Sequence, residues 1–237
     1  MKAKKQISLN PKIWAIIPAA GSGRRFSAHS LKQYQIIGDR SVLEHSVARL
    51  AHLPLAGVVL AIGAADHIAK TLNYADVSMH FCLGGAERVD SVYNALLYLS
   101  QIASDQDWVL VHDAARPCVK PQCLDDLIKA ALDQQQSAIL AVPVRDTLKH
   151  VTGQTIDCTV DRQMLWQAQT PQIAQFGVLK VAIEQAMAAG VKITDEASAL
   201  EFVEQPVQVV MGHAENLKIT YPEDLSLASL ILAQQAQ

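Results

Sequence analysis

The chain has 237 residues, 50% of them hydrophobic and 18% charged, with a net charge of −3. That length supports one substantial core, 1–237, and is short for two; no apolar run approaches the ~20 residues of a membrane-spanning helix, and the charge balance excludes a general nucleic-acid binder. The basic opening MKAKKQISLNPK lacks an apolar signal core, so residues 1–11 read as a flexible tail on a cytoplasmic protein.

Ile13–Ile17 is a short apolar run of the kind expected of a strand buried on both faces, and it leads into the glycine-spaced loop AAGSGRR. SVLEHSVARL follows, where Ser41 and Glu44 form a capping box and Val42, Leu43, Val47 and Leu50 share one helical face. Val58–Ile62 and Ser78–Phe81 repeat the strand pattern, and DSVYNALLYL from Asp90 repeats the helical one. After the strand Trp108–His112 comes PQCLDDLIKAAL, with Pro121 in the first helical turn, and then the strand Ala138–Val142. Pro143–Gln172 breaks the alternation. Its alternating stretches Thr147–Val151 and Thr155–Val160 flank Thr-Gly-Gln, a hairpin signature where a helix is due. VLKVAIEQAMAA from Val178 and PEDLSLASLILAQQ from Pro222 supply the last helices.

Strand and helix in turn predict an α/β fold with a doubly wound, mostly parallel sheet and residues 143–172 as an inserted β-arm. A lone two-stranded ribbon is marginal in water, so the arm either folds back on its own domain or embraces a second subunit; its length and polar residues favour the second. Cys82, Cys118, Cys123 and Cys158 have no CxxC spacing and read as reduced thiols.

Ligands of such sheets bind beyond the carboxyl ends of the strands, where AAGSGRR and HDAARP both fall. Gly21 and Gly23 let a backbone approach an anion closely. Neither GxxxxGK[ST] nor GxGxxG is present, since Phe26 stands where the last glycine of the dinucleotide fingerprint would be. Arg24, Arg25 and Lys32 make a basic cluster beside the glycines, suited to a polyphosphate. Asp113, at the end of a buried strand, is costly to desolvate without a partner; it is either an oxygen ligand for Mg²⁺ or a turn aspartate. Gly84 and Gly85 either hug a planar base or only make a turn. No GxSxG and no triad-like spacing of His112, His150 or His213 is found. A phosphate monoester, with a second pKa near ~6, is already an ionised nucleophile, and cations alone then suffice to assist it.

The segments PAAGSGRR, KQY, LEHSV, GGAERVDSV, WVLVHDAARP, PVRDT, TVDR, LW, TPQ, ITDEASALE and LKITYPEDL, in this order over about Ile13 to Leu230, resemble the 2-C-methyl-D-erythritol 4-phosphate cytidylyltransferase family. The resemblance implies a Rossmann-like nucleotidyltransferase fold and transfer of CMP from CTP to methylerythritol 4-phosphate with Mg²⁺. It further implies that Ala19, Ala20, Gly21 and Gly23 hold the triphosphate, and that Arg25 and Lys32 stabilise the pentacoordinate transition state. Gly85, Ala86 and Ser91 would lie against cytosine, Lys218 on phosphate, and Asp113 before metal and sugar phosphate. Arg116, Thr170 and Thr194 would meet the acceptor, and the arm would carry Thr147 and Arg162 into the partner's site of a homodimer. Leu31, Ser22 and Ala86 depart from the family pattern. The same chemistry on another polyol phosphate, such as ribitol 5-phosphate, and a non-catalytic nucleotide sensor are the alternatives; a nicotinamide-dependent oxidoreductase is disfavoured by Phe26.

Overall fold

The computed structural model describes residues 11–21, 26, 31–74 and 77–236. Strands β1 (Ile13–Pro18), β2 (Ile36–Ile37), β3 (Arg40–Ser41), β4 (Leu55–Ile62), β5 (Met79–Leu83), β6 (Trp108–Val111), β7 (Ser137–Pro143), β8 (Leu148–Thr152), β9 (Thr155–Val160), β10 (Trp166–Gln175) and β11 (Val207–Met211) are joined by six helices. These are α1 (Val42–Ala48), α2 (Arg88–Leu99), α3 (Pro121–Gln134), α4 (Phe176–Ala188), α5 (Glu196–Phe202) and α6 (Asp224–Gln235). None of them is long and apolar enough to cross a membrane.

Seven strands form one sheet in the order β11-β7-β10-β6-β1-β4-β5. All neighbours run parallel except that β10 is antiparallel to both β6 and β7. The continuous apolar strand runs follow from cover on both faces. Along β1, Ile13, Ala15 and Ile17 pack with Leu43, Val47, Leu124 and Leu127 of α1 and α3. Trp14 and Ile16 pack on the other face with Val92, Leu96, Leu179 and Ile183 of α2 and α4. α6 closes a third cluster over Val42, Ala115 and Ile219.

The expected strands and helices are in place, with helix starts shifted by two residues: α2 begins at Arg88, α4 at Phe176 and α6 at Asp224. The Ser41 cap is as anticipated: its hydroxyl accepts from Glu44 N–H at 3.2 Å, and the Glu44 carboxylate accepts from Ser41 N–H at 2.7 Å.

The arm is narrower than expected. β8 and β9 pair as a separate antiparallel ribbon around Gly153, whose φ of +62° suits the turn. Trp166–Gln172, however, pairs with β7 and so belongs to the central sheet. The excursion is therefore 144–165, and the span 143–172 also took in the first part of β10. Pairing of β10 with β7 is interrupted between Gln169 and Gln172, where the Thr170–Pro171 peptide is cis. Of the tail 1–11, only Pro11 is among the described residues.

Candidate active site

From β1 the chain steps outward to β4 and β5, then returns to β6 on the other side of β1. The loops after β1 and β6 therefore part from each other, leaving a crevice at the switch point of the sheet. A cleft of about 500 Å³ opens there, walled by Ala19, Gly21, Lys32, Ala86, Ser91 and Asp113 among others. Beside it lies a smaller cavity of about 180 Å³, walled by Arg116, Thr170, Gln172 and Thr194. Arg88, Asp113 and Lys218 line both.

Asp113, 6% exposed, is the hub of this shared wall. Its Oδ1 accepts from Arg88 Nε at 2.9 Å, and its Oδ2 lies 2.8 Å from Lys218 Nζ and 3.5 Å from Arg116 Nε. Burial alone would raise the Asp113 carboxyl; the charge of Arg88, then those of Lys218 and Arg116, overrule it and hold the group well below the usual carboxylate range. Arg88 is fixed in turn by Glu196, 3% exposed, which takes Nη1 at 2.7 Å and Nη2 at 3.0 Å. Three cations against two carboxylates leave this wall with an excess positive charge. Arg116 Nη1 donates to Asn216 O at 2.6 Å, but its buried Nε has no hydrogen-bond acceptor.

β10 brings Thr170 to this wall because, running antiparallel, it continues past the carboxyl end of β6, where Val111 pairs with Gln172. Asp113 N–H donates to Thr170 Oγ1 at 2.9 Å. Thr170 Oγ1 lies 3.2 Å from His112 Nδ1, and His112 Nε2 lies 3.0 Å from Arg116 O. A carbonyl only accepts, so His112 carries its proton on Nε2 and its Nδ1 takes the Thr170 hydroxyl proton. Burial pushes the His112 imidazole down to about 4, against the pull of Asp113, so this relay is neutral near pH 7. The hydroxyl of Thr170 is thus spent on holding the Asp113 loop.

A family profile for 2-C-methyl-D-erythritol 4-phosphate cytidylyltransferase matches residues 13–234. The chain belongs to this family. The cytidylyltransferase of that name from Acinetobacter baumannii is 63% identical over 226 residues, 94% of this chain and 95% of that one. One from Pseudomonas putida is 47% identical over 223 residues, 92% of this chain and 95% of that one. Among solved structures, that of the Francisella tularensis enzyme is 34% identical with a TM-score of 0.81, covering 93% of this chain and 99% of that one. The one from Thermus thermophilus is 31% identical with a TM-score of 0.78, covering 94% and 99%.

Seen as a family cytidylyltransferase, the chain gathers most of the residues singled out in its sequence. Ala19, Gly21, Lys32, Ala86, Ser91, Asp113 and Lys218 line the larger cleft; Arg116, Thr170 and Thr194 line the smaller. Ala20 meets the loop after β5: a Cβ on Gly84 would sit 2.4 Å from Ala20 Cβ, and one on Gly85 2.1 Å from Asp90 Cβ. The paired glycines are thus required by packing within the chain, and Gly85 N–H donates to Ser91 Oγ at 3.0 Å. Lys32 Nζ donates to Ile219 O at 2.8 Å, between Lys218 and Thr220 of the cleft wall. Gln33, nearly buried, ties the Lys32 turn to β1 through Ala19 O at 3.0 Å.

Gly23 and Arg25 lie outside the described residues. Thr147 and Arg162 stand on the exposed arm and line neither cavity; Arg162 Nη1 donates to Arg145 O. Arg88 and Glu196 were not foreseen. Glu196 had a signal: Asp195 and Ser198 form a capping box that sets the next residue at the first helical position of α5. Among the described residues no three His, Cys, Asp or Glu side chains group as a metal site; Asp113 and Glu87 are the carboxylate residues that line the larger cleft.

Proposed function

We propose that the protein transfers CMP from CTP to 2-C-methyl-D-erythritol 4-phosphate, giving 4-diphosphocytidyl-2-C-methyl-D-erythritol and pyrophosphate for isoprenoid precursor synthesis. The observation that carries the reading is the Asp113 wall: a positively biased, largely buried boundary common to two cavities, one for each anionic reactant. CTP takes the larger cleft, its phosphates against Ala19, Ala20, Gly21 and Gly23 and its base near Gly85, Ala86 and Ser91. The acceptor takes the smaller, against Arg116, Thr194 and the backbone around Thr170.

The bond that forms joins a phosphate oxygen of the acceptor to the α-phosphorus; the bond that breaks releases pyrophosphate. The nucleophile is already ionised, so no side chain need remove a proton. The barrier is the approach of two anions and the extra charge at phosphorus, and preorganised cations lower it. Lys218, fixed on Asp113 Oδ2, and Arg116 offset the acceptor phosphate. Lys32 and Arg25 serve the pentacoordinate phosphorus. Lys32 lies within reach of that role but is docked on Ile219 O.

Mg²⁺ fits Asp113 as an ion carried by the triphosphate. The carboxylate is anionic, it has lone pairs beyond the three cations it meets, and Mg²⁺ commonly takes one or two carboxylates plus substrate phosphates. When bound, it would neutralise phosphate charge.

The exposed apolar side chains of the arm, Val151, Ile156, Met164 and Leu165, favour a homodimer in which Thr147 and Arg162 complete the partner's pocket. The purified protein, given CTP, MgCl₂ and methylerythritol 4-phosphate, should release pyrophosphate and form the diphosphocytidyl product, far faster than with ribitol 5-phosphate. No product from either acceptor would sink the reading; equal rates would sink the choice of acceptor.

A further inference from the structure

Glu196 touches neither cavity, yet it is the side chain that decides how Arg88 can use its charge. The two Glu196 oxygens accept from Nη1 and Nη2 of Arg88, at 2.7 and 3.0 Å, which fixes the plane of the guanidinium, and its Nε donates to Asp113 Oδ1 at 2.9 Å. A two-pronged pairing of this kind holds a guanidinium in one orientation. With Oδ1 held in this way, Oδ2 is turned to Lys218, 2.8 Å away. Glu196 itself is pinned by the backbone: it opens α5, whose cap is the Asp195 carboxylate accepting from Ser198 N–H at 3.0 Å. The opening of α5 is tied to β10 by Gln172, which donates to Asp195 Oδ2 at 2.9 Å and accepts from Ala197 N–H at 2.9 Å.

We propose that Glu196 is a positioning residue for the transfer reaction: it fixes the Arg88 guanidinium, whose Nε holds Asp113 Oδ1, so that Asp113 Oδ2 stays aimed at Lys218 and the Lys218 ammonium stays on the wall between the two reactants. This rests on the assignment of the two cavities to CTP and the acceptor. It distinguishes the reactants, because the acceptor and the transferred phosphorus meet that wall, whereas the base lies near Gly85, Ala86 and Ser91 and the outer phosphates on the glycine loop.

Glu196→Gln keeps the size of the side chain but loses its charge and one of its two acceptors, and Glu196→Asp keeps the charge on a shorter stem. Steady-state rates with CTP and methylerythritol 4-phosphate, on protein whose folded fraction is set by a denaturant titration, decide the matter. For Glu196→Gln the acceptor KM should rise and kcat fall, each by roughly tenfold, within the range of a lost charged hydrogen bond, while the KM for CTP moves less than threefold; Glu196→Asp should recover part of both losses. If the loss follows only the folded fraction with both KM values unchanged, or if the KM for CTP rises as much as that for the acceptor, Glu196 is structural and the proposal fails. If Glu196→Gln does not fold, Glu196→Asp alone must show the acceptor-selective rise. A wild-type protein that transfers nothing would overturn the cavity assignment itself, a separate result.

Discussion

His112 illustrates how much a single buried side chain ties together here. It is fully buried, links Thr170 to the Arg116 carbonyl, and has its pKa pushed from 6.5 to about 4. In the unfolded chain it takes a proton near 6.5, in the folded one only near 4, so between those values the unfolded state binds more protons. Stability should therefore be complete above about pH 6.5 and fall by up to about 3 kcal/mol as pH drops towards 4. Asp113, also held low, acts in the same direction but below the ordinary carboxylate range. Urea midpoints at pH 7 and pH 4.5 would show the fall; His112→Gln, which retains a donor at the Nε2 position, should be less stable at pH 7 but flatter in this window. Lys32 belongs at the same scale. Lys32→Ala should lower turnover by about 10²–10³ with little change in the denaturation midpoint, measured by pyrophosphate release. Asp113→Asn leaves Arg88, Lys218 and Arg116 without their common anion and should cost about 3–5 kcal/mol, read from the same titration.

At the scale of the element, what the sequence discloses depends on how each segment hides its polar groups. β1, β4 and β6 were visible because two-sided burial makes them apolar throughout. β10 was not: WQAQTPQIAQ carries four glutamines and a proline, which argue against a central strand. Its two buried glutamines are answered by distant segments, Gln169 donating to His213 O at 3.0 Å and Gln172 to Asp195 at 2.9 Å, so a polar strand can lie inside the sheet. α5 spans seven residues, too few for a helical period to stand out, and so Glu196 went unnoticed although Thr194 beside it did not. The site residues on loops could be found because glycines, arginines and a strand-end aspartate have chemical reasons to be there; Arg88, two residues ahead of the helix expected from Asp90, stood only as part of the segment GGAERVDSV. The capping box of α1 is a direct check at this scale: Ser41→Ala should cost roughly 0.5–2 kcal/mol in a thermal or chemical denaturation without altering substrate KM values, since Ser41 faces neither cavity.

For the whole molecule the open question is whose pocket the arm completes. If Arg162 acts across a dimer, mixing an Arg25→Ala protein with an Arg162→Ala protein gives heterodimers in which one site carries both defects and the other neither, by the two-fold symmetry of the assembly. Activity should then return on mixing, once subunit exchange is confirmed by differently tagged chains. No return despite exchange would mean that the arm serves its own subunit.

The ribbon also departs and re-enters on neighbouring strands, β7 and β10, which are themselves paired. A cut in the peptide chain at the Gly153 turn would therefore sever nothing that holds the sheet together. The two pieces, 1–153 and 154–237, would each keep strands interleaved with the other's, β10 being flanked by β6 and β7. Proteolysis confined to that tip should yield a nicked protein that runs as one species until denatured. The same spot would suit new chain ends in a rearranged gene.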